Sequence, residues 1–194
     1  MQNNLIISLN GQEGSGKSTI ATMLAEKLNI PRFYMGQIFR EMAAENGMTL
    51  PEFRKVCDQD PSIDKKVDDY VITLPEKNPS FVIESRTAWH FIPQSIKIYL
   101  QVDSKIAAER IFKNLSEKNN RGNEDATLDC VENIEQSILK RRAEDSERYF
   151  AFYGIHQDEA SNYDLVVNTT NLTIEEVFEK VIEFIHNISF VARD

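Results

Sequence analysis

Eight residues, Gly11, Gln12, Glu13, Gly14, Ser15, Gly16, Lys17 and Ser18, fit the pattern G-x-x-x-x-G-K-[ST] at every fixed position, and Thr19 follows them. Loops of this kind handle phosphate. Their glycines let the backbone curl until successive N–H groups point at phosphate oxygens, and the positive end of the following helix adds to the pull. In such a loop Lys17 reaches the β- and γ-phosphates of a bound ATP, and Ser18 places its hydroxyl on Mg²⁺. The motif requires a strand before it and a helix after it. Residues 5–9, LIISL, are a short apolar run of strand formers, and Ile20, Leu24 and Leu28 recur at helical spacing beyond the loop.

A second signal lies in a long helical stretch after residue 130. Val131, Ile134 and Ile138 begin a stripe with spacings of three and four, which continues through Arg141, Asp145 and Arg148 before turning apolar again at Phe152. Charges have replaced hydrophobes on the inward face. Burying two arginines and an aspartate without partners is costly, so this face either lines a cavity that receives an anion or forms an internal salt-bridge cluster.

Other candidates sit at strand ends. Residues 80–84 form an apolar strand that delivers Glu84, Ser85 and Arg86 at its carboxyl end, where ligands of open α/β sheets bind. Arg86 can reach the same ligand there, and Glu84 can help hold a Mg²⁺-bound water. Arg40, on a helix over 37–46 closed by Gly47, is either a ligand contact or a solvated surface arginine. Asp64 and Asp68 share one helix face a turn apart, opposite an apolar face of Ile63, Val67, Tyr70, Val71 and Leu74. Solvated carboxylates and contacts to a base or ribose are both open for that pair. Arg110 lies in a helix capped by Asp103 or Ser104. The polar stretch 116–126, with Arg121 near its middle, reads as a closing lid or a plain surface loop.

Stepping from these residues to the elements that carry them, strands are expected at 5–9, 32–36, 80–84, 96–102 and 164–168, with helices between. The last helix opens on a Thr173–Glu176 capping box and repeats Ile174, Val177, Phe178, Val181, Ile182 and Ile185 as a structural face. Alternating strands and helices with a phosphate loop after the first strand imply an α/β fold, a mainly parallel sheet covered on both faces. At 194 residues, 41% hydrophobic and 27% charged, residues 1–194 fit a single domain. A net charge of −9 argues against general affinity for nucleic acid or an anionic membrane. Cys57 and Cys130 belong to no C-x-x-C pattern, His90, His156 and His186 show no ligand spacing, and Trp89 reads as a core or cleft residue. With neither a signal-like start nor a spanning stretch, the expected location is cytoplasmic.

In order along the chain, GQEGSGKST at 11–19, FYMGQIFREMA at 33–43, FVIESR at 81–86, AAERI at 107–111, RRAEDSERYFAFYGI at 141–155 and NYDLVVNT at 162–169 together resemble a nucleoside monophosphate kinase, most closely the compact cytidylate kinases. The resemblance implies a P-loop NTPase fold, a five-stranded parallel sheet of order 2-3-1-4-5, with a monophosphate-binding region at 37–75 and a short helical lid within 110–148. It implies Mg·ATP as donor and a nucleoside monophosphate as acceptor, CMP or dCMP first, in an enzyme that works as a monomer. By position, Gly36, Arg40 and Arg86 would meet the acceptor monophosphate and Arg110 the donor phosphates. Arg141 and Arg148 would bridge the two, with Asp145 orienting them or meeting the sugar. Ser85 stands where the family usually has Gly. Other acceptors, AMP, UMP or a small metabolite, and a regulatory ATP-binding module that transfers nothing, are the competing expectations.

Overall fold

The computed structural model describes residues 4–117 and 130–191. Its elements alternate: β1 (Ile6–Gly11), α1 (Lys17–Leu28), β2 (Arg32–Tyr34), α2 (Met35–Glu45), α3 (Leu50–Gln59), α4 (Pro61–Lys77), β3 (Phe81–Glu84), α5 (Ala88–Phe91), β4 (Ile96–Gln101), α6 (Ser104–Glu117), α7 (Val131–Tyr153), β5 (Leu165–Asn168) and α8 (Ile174–Val191). The five strands form one parallel sheet in the order β2-β3-β1-β4-β5.

The period of two along β1 decides which residues serve which face. Ile7 and Leu9 pack with Ile20 and Leu24 of α1 and Val177, Val181 and Ile185 of α8. Ile6 points the other way, with Phe81 and Ile83, into a cluster that includes Met35, Val67, Val71 and Leu74. A third cluster joins α6 to α7 through Ala107, Ala108, Ile111, Ile134 and Ile138. Trp89, Tyr99, Tyr149, Ile155 and Tyr163 make an aromatic group beside the end of β1. Both faces of the sheet are therefore buried, as parallel strands require.

Several element boundaries and one core assignment differ from the sequence expectation. Tyr70 does not join the α4 core; it is 41% exposed, because Val67, Val71 and Leu74 already fill the contact with the sheet. The second strand ends at Tyr34 rather than 36, and Gly36 lies in the first turn of α2. The helix carrying Arg110 continues through Glu117, past the start expected for the polar loop. Residues 118–129, with Arg121, lie outside the described residues, as does the side chain of Asp64.

Capping follows the local chemistry where it was readable. Thr49 and Glu52 form a reciprocal capping box on α3, and Thr173 and Glu176 exchange hydrogen bonds at the start of α8. Helix α1 is different: Gly16 precedes it at φ +89°, with no side-chain cap and no acidic residue in the first turn. Its N-terminal amides open at the carboxyl edge of β1, where the order reverses between β3 and β4 and open α/β sheets bind their ligands.

Candidate active site

A cavity of about 500 Å³ opens at that edge. Residues 13–19 of the phosphate loop line it, together with Gly36, Arg40, Glu84, Arg86, Arg110, Arg141, Asp145 and Arg148. Helices α1, α2, α6 and α7, strand β3 and the loops at 13–16 and 86 contribute these residues, and the sheet register brings them together: Leu9 and Tyr34 both pair with Glu84, so β2 and β3 end at one level beside β1.

The loop itself is shaped by contacts that only glycine permits. At Gly11, φ +145°, a Cβ would stand 2.3 Å from the Leu100 carbonyl oxygen; at Gly14, φ +71°, it would stand 2.8 Å from the Ala107 backbone. Gln12 turns away from the cavity, where its Oε1 accepts from the Val102 N–H at 2.7 Å. Lys17 folds back so that Nζ donates to the Gln12 carbonyl at 2.7 Å. Burial pushes its ammonium down to about 8, against the pull of Glu13 and Glu84. Ser15 is 2% exposed, and its hydroxyl has no hydrogen-bond partner among the described residues. A loop that opens onto a helix N-terminus and carries an orphaned buried hydroxyl is suited to an anion.

Arg110 closes the side of the cavity nearest the phosphate loop. Its Nη1 donates to the Gly14 carbonyl at 3.3 Å and Thr169 Oγ1 at 3.2 Å, and its Nη2 to the carbonyls of Thr169 at 2.7 Å and Thr170 at 3.2 Å. The guanidinium thus ties the phosphate loop to the segment after β5.

The remaining arginines are held mainly by carboxylates. Arg86 bridges Glu13 and Asp145, and Arg141 Nε lies 3.5 Å from Glu13 Oε1 and 4.0 Å from Asp145 Oδ2. Arg148 Nη2 donates to Asp145 Oδ1 at 3.1 Å. The α7 face is thus a salt-bridge cluster that also forms one wall of the cavity. Burial alone would raise the Glu13 carboxyl, but Arg86, Arg141 and Lys17 beside it hold it well below the usual carboxylate range. The backbone of Arg86 is fixed too, its carbonyl accepting from Trp89 Nε1 at 2.9 Å. Ser85 Oγ accepts from the N–H groups of Thr87 and Ala88 at 3.2 Å, a turn that glycine would not supply. Arg40 Nη1 donates to Tyr34 Oη at 2.9 Å and the Gly36 carbonyl at 3.2 Å.

Glu84 has a definite setting. It is 4% exposed; Ser18 Oγ donates to Oε1 at 2.7 Å and Arg32 Nη2 to Oε2 at 2.8 Å. A hydroxyl and a carboxylate side by side are hard oxygen donors of the kind Mg²⁺ takes. No three His, Cys, Asp or Glu side chains gather into a metal cage among the described residues, so a Mg²⁺ here would draw the rest of its shell from phosphates and water. Arg32 was missed in the sequence. Its signal was the alternation Arg32, Phe33, Tyr34, which puts Arg32 and Tyr34 on one strand face, but the Glu84 partner depends on a strand pairing fifty residues away.

The sequence profile of the cytidylate kinase-like family matches residues 6–171. A cytidylate kinase of Methanocaldococcus jannaschii is 35% identical, the match covering 95% of this chain and 99% of the relative. One of Pyrobaculum islandicum is 36% identical, over 93% of this chain and 92% of the relative. Among solved structures, the shikimate kinase of Acinetobacter baumannii in complex with shikimate superposes with a TM-score of 0.59 at 17% identity, covering 95% of each chain, a likeness of fold alone. No described helix is long and apolar enough to cross a membrane. With the phosphate loop, the sheet order and the profile in agreement, the chain belongs to the cytidylate kinase-like family of phosphotransferases.

Proposed function

We propose that this protein transfers the γ-phosphoryl group of Mg·ATP to CMP or dCMP, giving the diphosphate and ADP. The observation that carries the reading is the meeting of a phosphate loop and four further arginines, Arg40, Arg86, Arg141 and Arg148, around one cavity. Relatives named cytidylate kinase, 35–36% identical over nearly the whole chain, support the choice of acceptor.

A nucleoside monophosphate already presents an anionic oxygen, so no strong general base is needed. That oxygen attacks the γ-phosphorus as the bond to the β-bridging oxygen breaks, and ADP leaves. The work of the protein is alignment and charge neutralisation. In this proposal the amides of residues 13–19 and Lys17 hold the donor phosphates, with Arg110 keeping the loop in shape. Arg40 and Arg86 grip the acceptor phosphate, Arg141 and Arg148 span the two, and Asp145 sets their orientation. Ser18 and Glu84 would hold Mg²⁺, which when bound would supply positive charge to offset that of the donor phosphates. The proposal further divides the single kinase domain, residues 1–194, into a monophosphate-binding region at 37–75 and a lid within 110–148. The proposal also takes the enzyme to act as a monomer in the cytoplasm.

The test is ADP release from Mg·ATP with CMP, dCMP, UMP, AMP, GMP or no acceptor at fixed salt. Strong stimulation by CMP and dCMP is expected. Stimulation by another monophosphate would move the acceptor while keeping the chemistry, and ATP binding with no stimulation by any would replace a monophosphate kinase with a kinase for another metabolite or a binding module.

A further inference from the structure

One cavity-lining carboxylate is left over by the phosphate chemistry. Asp68 on α4 is 8% exposed and lines the cavity, with Val67 on one side of it in sequence and Thr87 across from it in space. Two hydroxyls from different elements hold it. Thr87 Oγ1 donates to Oδ1 at 3.5 Å, and Tyr153 Oη, on α7, donates to Oδ2. Thr87 directly follows Arg86, so the carboxylate stands next to the backbone that carries a proposed acceptor-phosphate arginine. Phe39, Leu50, Val67 and Tyr149 line the same cavity and offer apolar surface to a flat ring.

A carboxylate on the cavity wall, oriented by two hydroxyls, presents acceptor oxygens to an N–H group of a ligand. Cytosine carries an exocyclic amino group that donates; uracil carries a carbonyl oxygen at the same ring position, which would face the carboxylate acceptor to acceptor. A site built to hydrogen-bond one group discriminates strongly against an analogue that leaves its buried polar atoms unpaired. We propose that Asp68 is a specificity-determining residue for the acceptor base, accepting from the cytosine amino group while Thr87 and Tyr153 hold its carboxylate in place. The inference rests on the monophosphate kinase reading above. An adenine amino group would satisfy the same carboxylate, so the informative contrast is CMP against UMP.

The experiment measures kcat/KM for CMP, dCMP and UMP with the full chain at saturating Mg·ATP, for the wild type, Asp68→Asn and Tyr153→Phe. Asp68→Asn, which removes the charge and turns one of two acceptor oxygens into an N–H donor, should lower kcat/KM for CMP about 10- to 100-fold, while UMP falls less than about 3-fold or improves. The CMP to dCMP ratio should not move. Tyr153→Phe should shift the CMP to UMP ratio the same way by about 3- to 10-fold, and it keeps the question answerable should the first variant not fold. Equal losses for CMP and UMP in both variants would make Asp68 a tether between α4 and α7 and overturn the assignment. A change confined to the CMP to dCMP ratio would overturn it in favour of the sugar. Failure of the functional reading is separate, because it appears in the wild type as indifference to every monophosphate.

Discussion

The two ends of the cavity are built by different means. At the end proposed to hold the donor, the cradle is backbone: glycine conformations, amides of the first turn of α1, and an arginine, Arg110, bound to three carbonyls and a hydroxyl. The end proposed to hold the acceptor consists of side chains borrowed from β2, α2, the turn after β3 and α7, with cations held by the carboxylates of Glu13 and Asp145. The difference teaches where each end is rigid. Backbone geometry persists without ligand, whereas guanidinium–carboxylate pairs can exchange one anion for another. On the proposed function, substrate phosphates would compete with Glu13 and Asp145 for these arginines.

The largest effects should come from removing one cation at each end. Lys17→Ala and Arg141→Ala are each expected to lose on the order of 10³-fold in rate, about 4 kcal/mol of transition-state stabilisation, with the fold kept. Steady-state kinetics should place the first loss on ATP and the second on both substrates. Near-normal turnover in a folded Arg141→Ala protein would break the comparison by removing α7 from the chemistry.

A smaller loss is expected from Arg32→Ala, which strips Glu84 of its charged partner but leaves the Ser18 hydroxyl on it. We expect kcat to drop about 10-fold and the Mg²⁺ needed for half-maximal rate to rise, as when an outer partner of a metal site is removed. A Mg²⁺ titration matching the wild type would exclude Glu84 from the metal shell.

The smallest effect is a pH limb. With its ammonium pushed down to about 8 by burial, Lys17 loses its charge as pH rises through that value in the free protein. The account predicts that kcat/KM for ATP declines several-fold between pH 7 and 9, while kcat at saturating ATP holds to higher pH because bound phosphates favour the charged form. A flat kcat/KM profile over that range would contradict it.

What could be read from the sequence follows the same division. The phosphate loop was legible because its geometry demands particular glycines at particular spacings, and the neighbouring residues 5–9 supplied the strand context. The α7 face was legible because three charged residues interrupt an apolar helical stripe. Pattern alone left Arg141, Asp145 and Arg148 balanced between a salt-bridge cluster and an anion site, since both put charges in the same places. Contacts between distant segments were not legible. The Arg32–Glu84 pair depends on β2 lying beside β3, and the Asp68–Tyr153 bond on α4 meeting α7. Tyr70 misled for a related reason: helical periodicity marks an apolar stripe but not how much of it the sheet covers.

The central claim is that donor and acceptor phosphates meet in one cavity, and a single molecule spanning both halves tests it most directly. Isothermal titration would compare cytidine and adenosine joined through five phosphates with ATP alone and CMP alone. Joining two ligands that bind side by side makes the second contact intramolecular, so the account predicts that the linked compound binds at least about 10²-fold more tightly than either part. Arg141→Ala should remove most of that gain. Affinity no better than that of ATP alone would mean that the arginines of α7 and the phosphate loop do not serve one reaction.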